Sequence, residues 1–132
     1  MPDRQYIKFP RPESIRFFEN AMNRHNRVLS CRRISEGYYV IKRDELPPIH
    51  VFVSNYYALS ISDYYEITGE YNIDCLITIS NWNRVTQDAY ELGQDNGIGV
   101  FTMEDFMGAL NYAKPSTYVR QIDRENNNRS SQ

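Results

Sequence analysis

Apolar residues recur at helical spacing near the start of the chain. Ile15, Phe18 and Met22, with Phe17 and Ala21 beside them, form one stripe within residues 12–26. Pro12 suits a first helical turn and Glu13 favours the positive end of the helix dipole. The spacing predicts a helix with a core-facing stripe. The pattern then changes period. Residues 28–34 and 38–42 are rich in β-formers and flank the turn signal Glu36-Gly37. Asp44-Glu45-Leu46-Pro47-Pro48 predicts a loop, because paired prolines donate nothing to a ladder. Residues 49–54 then read as a third strand.

From there helices and strands alternate. Ser60 and Asp63 form a capping box before Tyr64, Ile67 and Tyr71. Residues 75–79 are a near-continuous apolar run, the pattern of a strand buried on both faces. Thr86 caps a helix carrying Ala89, Tyr90 and Leu92, and Asn96-Gly97 supplies a left-handed stop. Residues 98–101 read as a short strand. Thr102 with Asp105 opens a last helix carrying Met103, Phe106, Met107 and Leu110. The predicted order is α-β-β-β-α-β-α-β-α. The meander and the right-handed crossovers give an α/β fold with a mixed sheet and helices on both faces. Residues 114–132 have little apolar periodicity and read as a flexible polar tail behind a domain spanning 1–113.

At 132 residues, 41% hydrophobic and 24% charged, the chain has globular composition and the length of one domain. No apolar run approaches the ~20 residues of a membrane helix, and the first residues show no secretory h-region. Cys31 and Cys75 are expected to be reduced thiols in a cytoplasm. Charge changes the picture more. Residues 1–43 carry ten Lys/Arg against four acids, whereas residues 44–113 carry eleven acids against Arg84 alone. Such a split suggests two electrostatically different faces, unless the segments pack together and neutralise each other.

No catalytic constellation stands out. Gly97-x-Gly99 is too short for a dinucleotide fingerprint and precedes a strand. His25 and His50 have no partner motif, and Cys75 sits in an apolar run where a thiol is an inert small hydrophobe. Cys31 stands beside Arg32-Arg33, which lower a thiol pKa, but nothing nearby looks like a general base. No metal site and no cofactor are implied.

The stretch from Ile49 to Leu110 nevertheless resembles Mrr-type restriction endonuclease domains of the PD-(D/E)xK nuclease superfamily. The likeness rests on the third strand and its helix, the strand ending Thr78-Ile79-Ser80-Asn81, and the helix start Thr86-Gln87-Asp88-Ala89. It continues through Gly97-Ile98-Gly99-Val100-Phe101 and the closing helix; with the N-terminal helix and hairpin it covers residues 12–112. The resemblance implies a restriction-endonuclease-like three-layer fold, a mixed central sheet flanked by helices. The catalytic part departs from the pattern. Active members carry an acid near the second strand and Glu/Gln-x-Lys on the third, which bind Mg²⁺ and activate water. Here Phe52 stands at the metal-binding position and Ser54 at the lysine. Glu19 alone matches an accessory family glutamate. Asp44 and Glu45 are candidates for a displaced site, weighed against a solvated charged turn.

Three functions follow. The first is an inactive nuclease-fold domain that binds a partner, with DNA-related regulation or defence as the setting. Arg24, Arg27, Arg32, Arg33, Lys42 and Arg43 are the expected phosphate-contacting set. Arginine outnumbers lysine twelve to three, as suits bidentate contacts, and eleven tyrosines offer contact area. A pI near 5.7 argues against strong unspecific DNA binding and moves weight toward a protein partner or self-association. The second is a Mg²⁺-dependent endonuclease with a displaced site. The third is a small structural subunit of a larger assembly.

Overall fold

The alternation of the first half folds into a meander at one side of a five-stranded sheet. The computed structural model describes residues 7–130, with side chains described to 125. Helix α1 (Pro12–Arg24) leads into β1 (Val28–Ser35), β2 (Tyr38–Arg43) and β3 (Leu46–Ser54). A crossover through β4 (Ala58–Leu59) and α2 (Ile61–Thr68) delivers β5 (Cys75–Thr78). A second, through β6 (Arg84–Val85) and α3 (Gln87–Asp95), delivers β7 (Gly99–Thr102). Helices α4 (Met103–Ala109) and α5 (Gln121–Ser130) follow. The sheet order is β1-β2-β3-β5-β7, antiparallel through β3 and parallel from β3 onward. The α/β class and the mixed sheet flanked by helices are as the pattern predicts.

The period-2 alternation of the strands makes two apolar layers. Val51, Val53, Ile77 and Phe101 face α1 and α4, where Phe18, Met22 and Phe106 close the layer. Phe52, Leu76 and Val100 face the other way, against Tyr64 and Ile67 of α2 and Ala89 of α3. Phe52 pairs side by side with Leu76, so Ile77 on the same neighbouring strand lies on the opposite face. Local signals hold where they were strongest. Ser60 and Asp63 close a reciprocal capping box, Thr86 accepts from the Ala89 amide, and Gly97 takes φ 74° at the stop of α3.

Two expectations fail. Pro47 and Pro48 lie inside β3, not in a loop. The β2–β3 register shifts between Ile41↔Ile49 and Arg43↔Leu46, which leaves the prolines in an irregularity. Pairing with β5 begins only at Val51, so neither neighbour needs the missing N–H groups.

The second failure is the boundary at 113 with a flexible tail behind it. Pro115–Thr117 form a 3₁₀ turn and Tyr118 is 9% exposed. The Tyr118 ring meets Phe101 edge-on at 5.8 Å. The Arg120 guanidinium lies 3.4 Å from the Tyr90 ring centroid and donates to Gln87 and Asp123. One tyrosine and one stacked arginine anchor this segment, too few residues to make a periodic pattern. Gly108 makes the room: a Cβ there would stand 2.6 Å from the Tyr118 ring. The first six residues and residues 131–132 of the expected tail lie outside the described ones.

Candidate functional site

The six basic residues expected to contact phosphate do not converge. Alternation on β1 and β2 separates them. Arg33 opposes Tyr39 on the α1 side of the sheet, where its Nε stands 3.9 Å from Glu19. Arg32 opposes Val40 and Lys42 opposes Ser30 on the other side, both exposed. Arg24 is exposed in the last turn of α1, and Arg27 donates to the Asp44 carbonyl at 3.2 Å. Arg43 is not a surface residue at all. It is 4% exposed, and its guanidinium donates to the carbonyls of Pro47, Leu110, Tyr112 and Ala113. The structure therefore removes Arg43 from the phosphate-contacting set: every direction its donors point is already occupied by a main-chain oxygen.

The third-strand positions at which the sequence resemblance expects metal-binding and lysine side chains are filled with packing. Phe52 is fully buried, its ring 4.7 Å from Tyr71 and 5.8 Å from Phe9. Ser54 is fully buried and donates to the Ile77 carbonyl at 2.7 Å. Glu19 accepts from the Tyr39 hydroxyl at 2.7 Å; burial raises the Tyr39 pKa, and this bond adds to it. Asp44 and Glu45 are exposed at the β2–β3 turn, with Glu45 at φ 61°. They stand at the far end of β3 from Ser54, roughly 26 Å of strand away at the usual rise. Among the described residues no three His, Cys, Asp or Glu side chains are grouped to hold a metal. Burial pushes the Cys31 thiol up to about 12, with Glu19 adding to it, so the arginines beside it in sequence do not activate it.

A different site forms at the C-terminal ends of β3 and β5, where open α/β sheets commonly bind ligands. The turn after β5 is closed by the Asn83 amide donating to the Ser80 carbonyl at 2.9 Å. Its stem is clamped on both sides, by Ile79 N–H to Ser54 and Arg84 N–H to Tyr57. This lifts Trp82 to the tip, where it is 84% exposed. The segment before α1 is tied to the same edge by the main-chain N–H of Asn55, which donates to the Lys8 carbonyl at 2.8 Å. A cleft of about 660 Å³ results, lined by Lys8, Arg11, Asn55, Tyr57, Trp82 and Asn83, with Glu13, Ser14 and Ser80 at its side. It meets a second cleft of about 520 Å³ between α1 and α4, where Phe17 and Met107 contribute apolar walls.

A hydrogen-bond chain fixes the amides in the first cleft. Thr78 spends its single proton on the Tyr56 carbonyl at 2.6 Å. It can then only accept from Asn83, which sets the Asn83 amide orientation with Nδ2 toward Thr78 at 2.9 Å. The other Nδ2 proton goes to Asn55 Oδ1 at 2.9 Å, and Ser80 donates to the same oxygen at 2.8 Å. Asn83 is left with its carbonyl oxygen and Asn55 with its NH₂ group. Sequence reasoning passed over Lys8, Arg11, Asn55, Trp82 and Asn83. The one readable signal was the chain's single tryptophan in a Ser-Asn-Trp-Asn turn.

The chain matches no family model, no curated protein and no solved structure.

Proposed function

We propose that the chain is a catalytically inactive, restriction-endonuclease-like domain that acts by binding a partner. The observation that carries this reading is the state of the third strand. Phe52 offers no oxygen to a metal and lies in an aromatic cluster, and the Ser54 hydroxyl is consumed by a main-chain carbonyl. Serine carries no charge to stabilise a developing phosphorane, and one accessory glutamate cannot hold Mg²⁺ and polarise a phosphate. The meander followed by parallel crossovers supports the fold assignment.

The test is incubation of supercoiled plasmid with the protein and Mg²⁺ or Mn²⁺. The expected result is no nicking. Metal-dependent nicking that co-elutes with the protein and vanishes in an Asp44→Ala, Glu45→Ala variant overturns the reading and moves the chemistry to the β2–β3 turn.

A further inference from the structure

We propose that the cleft at the C-terminal ends of β3 and β5 is a nucleobase site for single-stranded nucleic acid. In it a base stacks on Trp82, its edge meets the amides of Asn55 and Asn83, and the adjoining phosphate faces Lys8 and Arg11. This deepens the binding-domain reading and rests on it.

Three independent features of the cleft converge on this ligand. The first is the aromatic platform. Trp82 is 84% exposed at the tip of a turn that is hydrogen-bonded at its ends, so the ring is presented rather than left over from packing. Every base has a π-face, and stacking on an aromatic side chain contributes about 1–3 kcal/mol per base. Tyr57, 62% exposed and lining the same cleft, is a second surface, with the Arg84 guanidinium 5.2 Å from its ring.

The second is the fixed amide pair. The Thr78–Asn83–Asn55–Ser80 chain leaves a carbonyl acceptor on Asn83 and NH₂ donors on Asn55, with no rotation to pay for on binding. A donor and an acceptor side by side suit the edge of a base, which carries the same pair. The third is charge. Lys8 and Arg11 line the cleft, and among the described residues neither is ion-paired. Glu13 lines it too and offsets one of them, leaving an excess of one positive charge. Net attraction is therefore modest, which favours a strand read by stacking over a duplex held by its phosphates. The spread of Arg24, Arg27, Arg32 and Arg33 over both sides of the sheet gives no rail for a duplex either.

The chain has one tryptophan, so its emission reports this site alone. The protein is titrated with ten-nucleotide oligothymidylate and oligoadenylate, with the matching mononucleotides, and with a duplex of the same length. Saturable quenching by the oligonucleotides is expected, weakening with salt. Labelled oligonucleotide should lose about 5- to 150-fold in affinity to Trp82→Ala, measured by anisotropy, and little to Trp82→Phe. Lys8→Ala, Arg11→Ala should lower the salt slope by roughly 1.4. Mononucleotides that quench as tightly as the oligonucleotides would identify a free nucleotide as the ligand of the same base and phosphate chemistry and overturn the strand. No quenching and no anisotropy change at low salt overturns the site, as does duplex binding that leaves Trp82 emission unmoved. A protein partner that Trp82→Ala releases, with nucleic acid inert, overturns it in favour of a protein surface. Plasmid nicking would end the inactive-domain reading without altering the quenching result, so the two failures are distinguishable.

Discussion

Arg43 donates through Nη1 to the carbonyl of Tyr112 at 2.6 Å and to that of Leu110 at 3.0 Å. The side chain thereby ties the end of the β2 hairpin to the chain leaving α4. A cation at a helix C-terminus meets the negative end of the dipole, and carbonyls without intrahelical partners are satisfied there. Burial pulls the Arg43 pKa down from its ordinary value, the cost of keeping the charge inside.

Replacing Arg43 should therefore unfold rather than disarm. Arg43→Met strands several buried carbonyls and is expected to cost about 2–4 kcal/mol, since hydrogen bonds to charged groups contribute ~1.5–3 kcal/mol. Urea midpoints at constant m measure it. An Arg32→Ala variant, on the exposed side, should stay within about 0.5 kcal/mol of the parent.

Phe52→Ala removes a fully buried ring between Tyr71, Phe9 and Leu76. The expected loss is about 3–5 kcal/mol. A shift under 1 kcal/mol in chemical denaturation would count against the packing described for β3 and β5.

The segment after 113 should matter to stability. A chain ending at 125 keeps the Tyr118 and Arg120 contacts, whereas one ending at 113 exposes Phe101 and Tyr90. The shorter chain should melt several degrees lower, each kcal/mol being about 4 °C at this size. Gly108→Ala should mimic part of that loss, because its methyl group drives into the Tyr118 ring. Equal melting temperatures for all three would show that the segment after 113 adds nothing.

Alkaline pH should destabilise the fold in a defined window. Burial pushes the Cys31 thiol and the Tyr56 phenol up to about 12, and it also raises Cys75 and Tyr39. In the unfolded chain these groups ionise near 8.5 for a thiol and ~10 for a phenol. Above about pH 8.5 the unfolded state thus binds fewer protons, so stability present at neutral pH falls as pH rises toward 12. Melting temperatures at pH 7, 9 and 10.5 should decline in that order. Cys31→Ser should flatten the drop between pH 8 and 9.5, and native Cys75 should resist alkylation until the protein unfolds.

Much of the fold was legible because local chemistry and tertiary packing agree. The stripe Ile15, Phe18, Met22, the Ser60/Asp63 box and the left-handed Gly97 each encode an element within one or two turns of chain. The apolar run at 75–79 encodes a strand covered on both faces. Other matters were decided only by distant neighbours. Pro47 and Pro48 enter a strand because the partner register slips and β5 begins later. Tyr118 and Arg120 become core because Gly108 leaves space and Tyr90 offers a ring. Arg43, one more basic residue beside the exposed Lys42 in sequence, faces inward because alternation on β2 aims it at the carbonyls after α4. The candidate cleft belongs to the same class. Lys8, Asn55 and Trp82 are far apart along the chain and carry no motif. They share a site because parallel strands β3 and β5 end together, and each strand's next turn then opens at the same edge of the sheet.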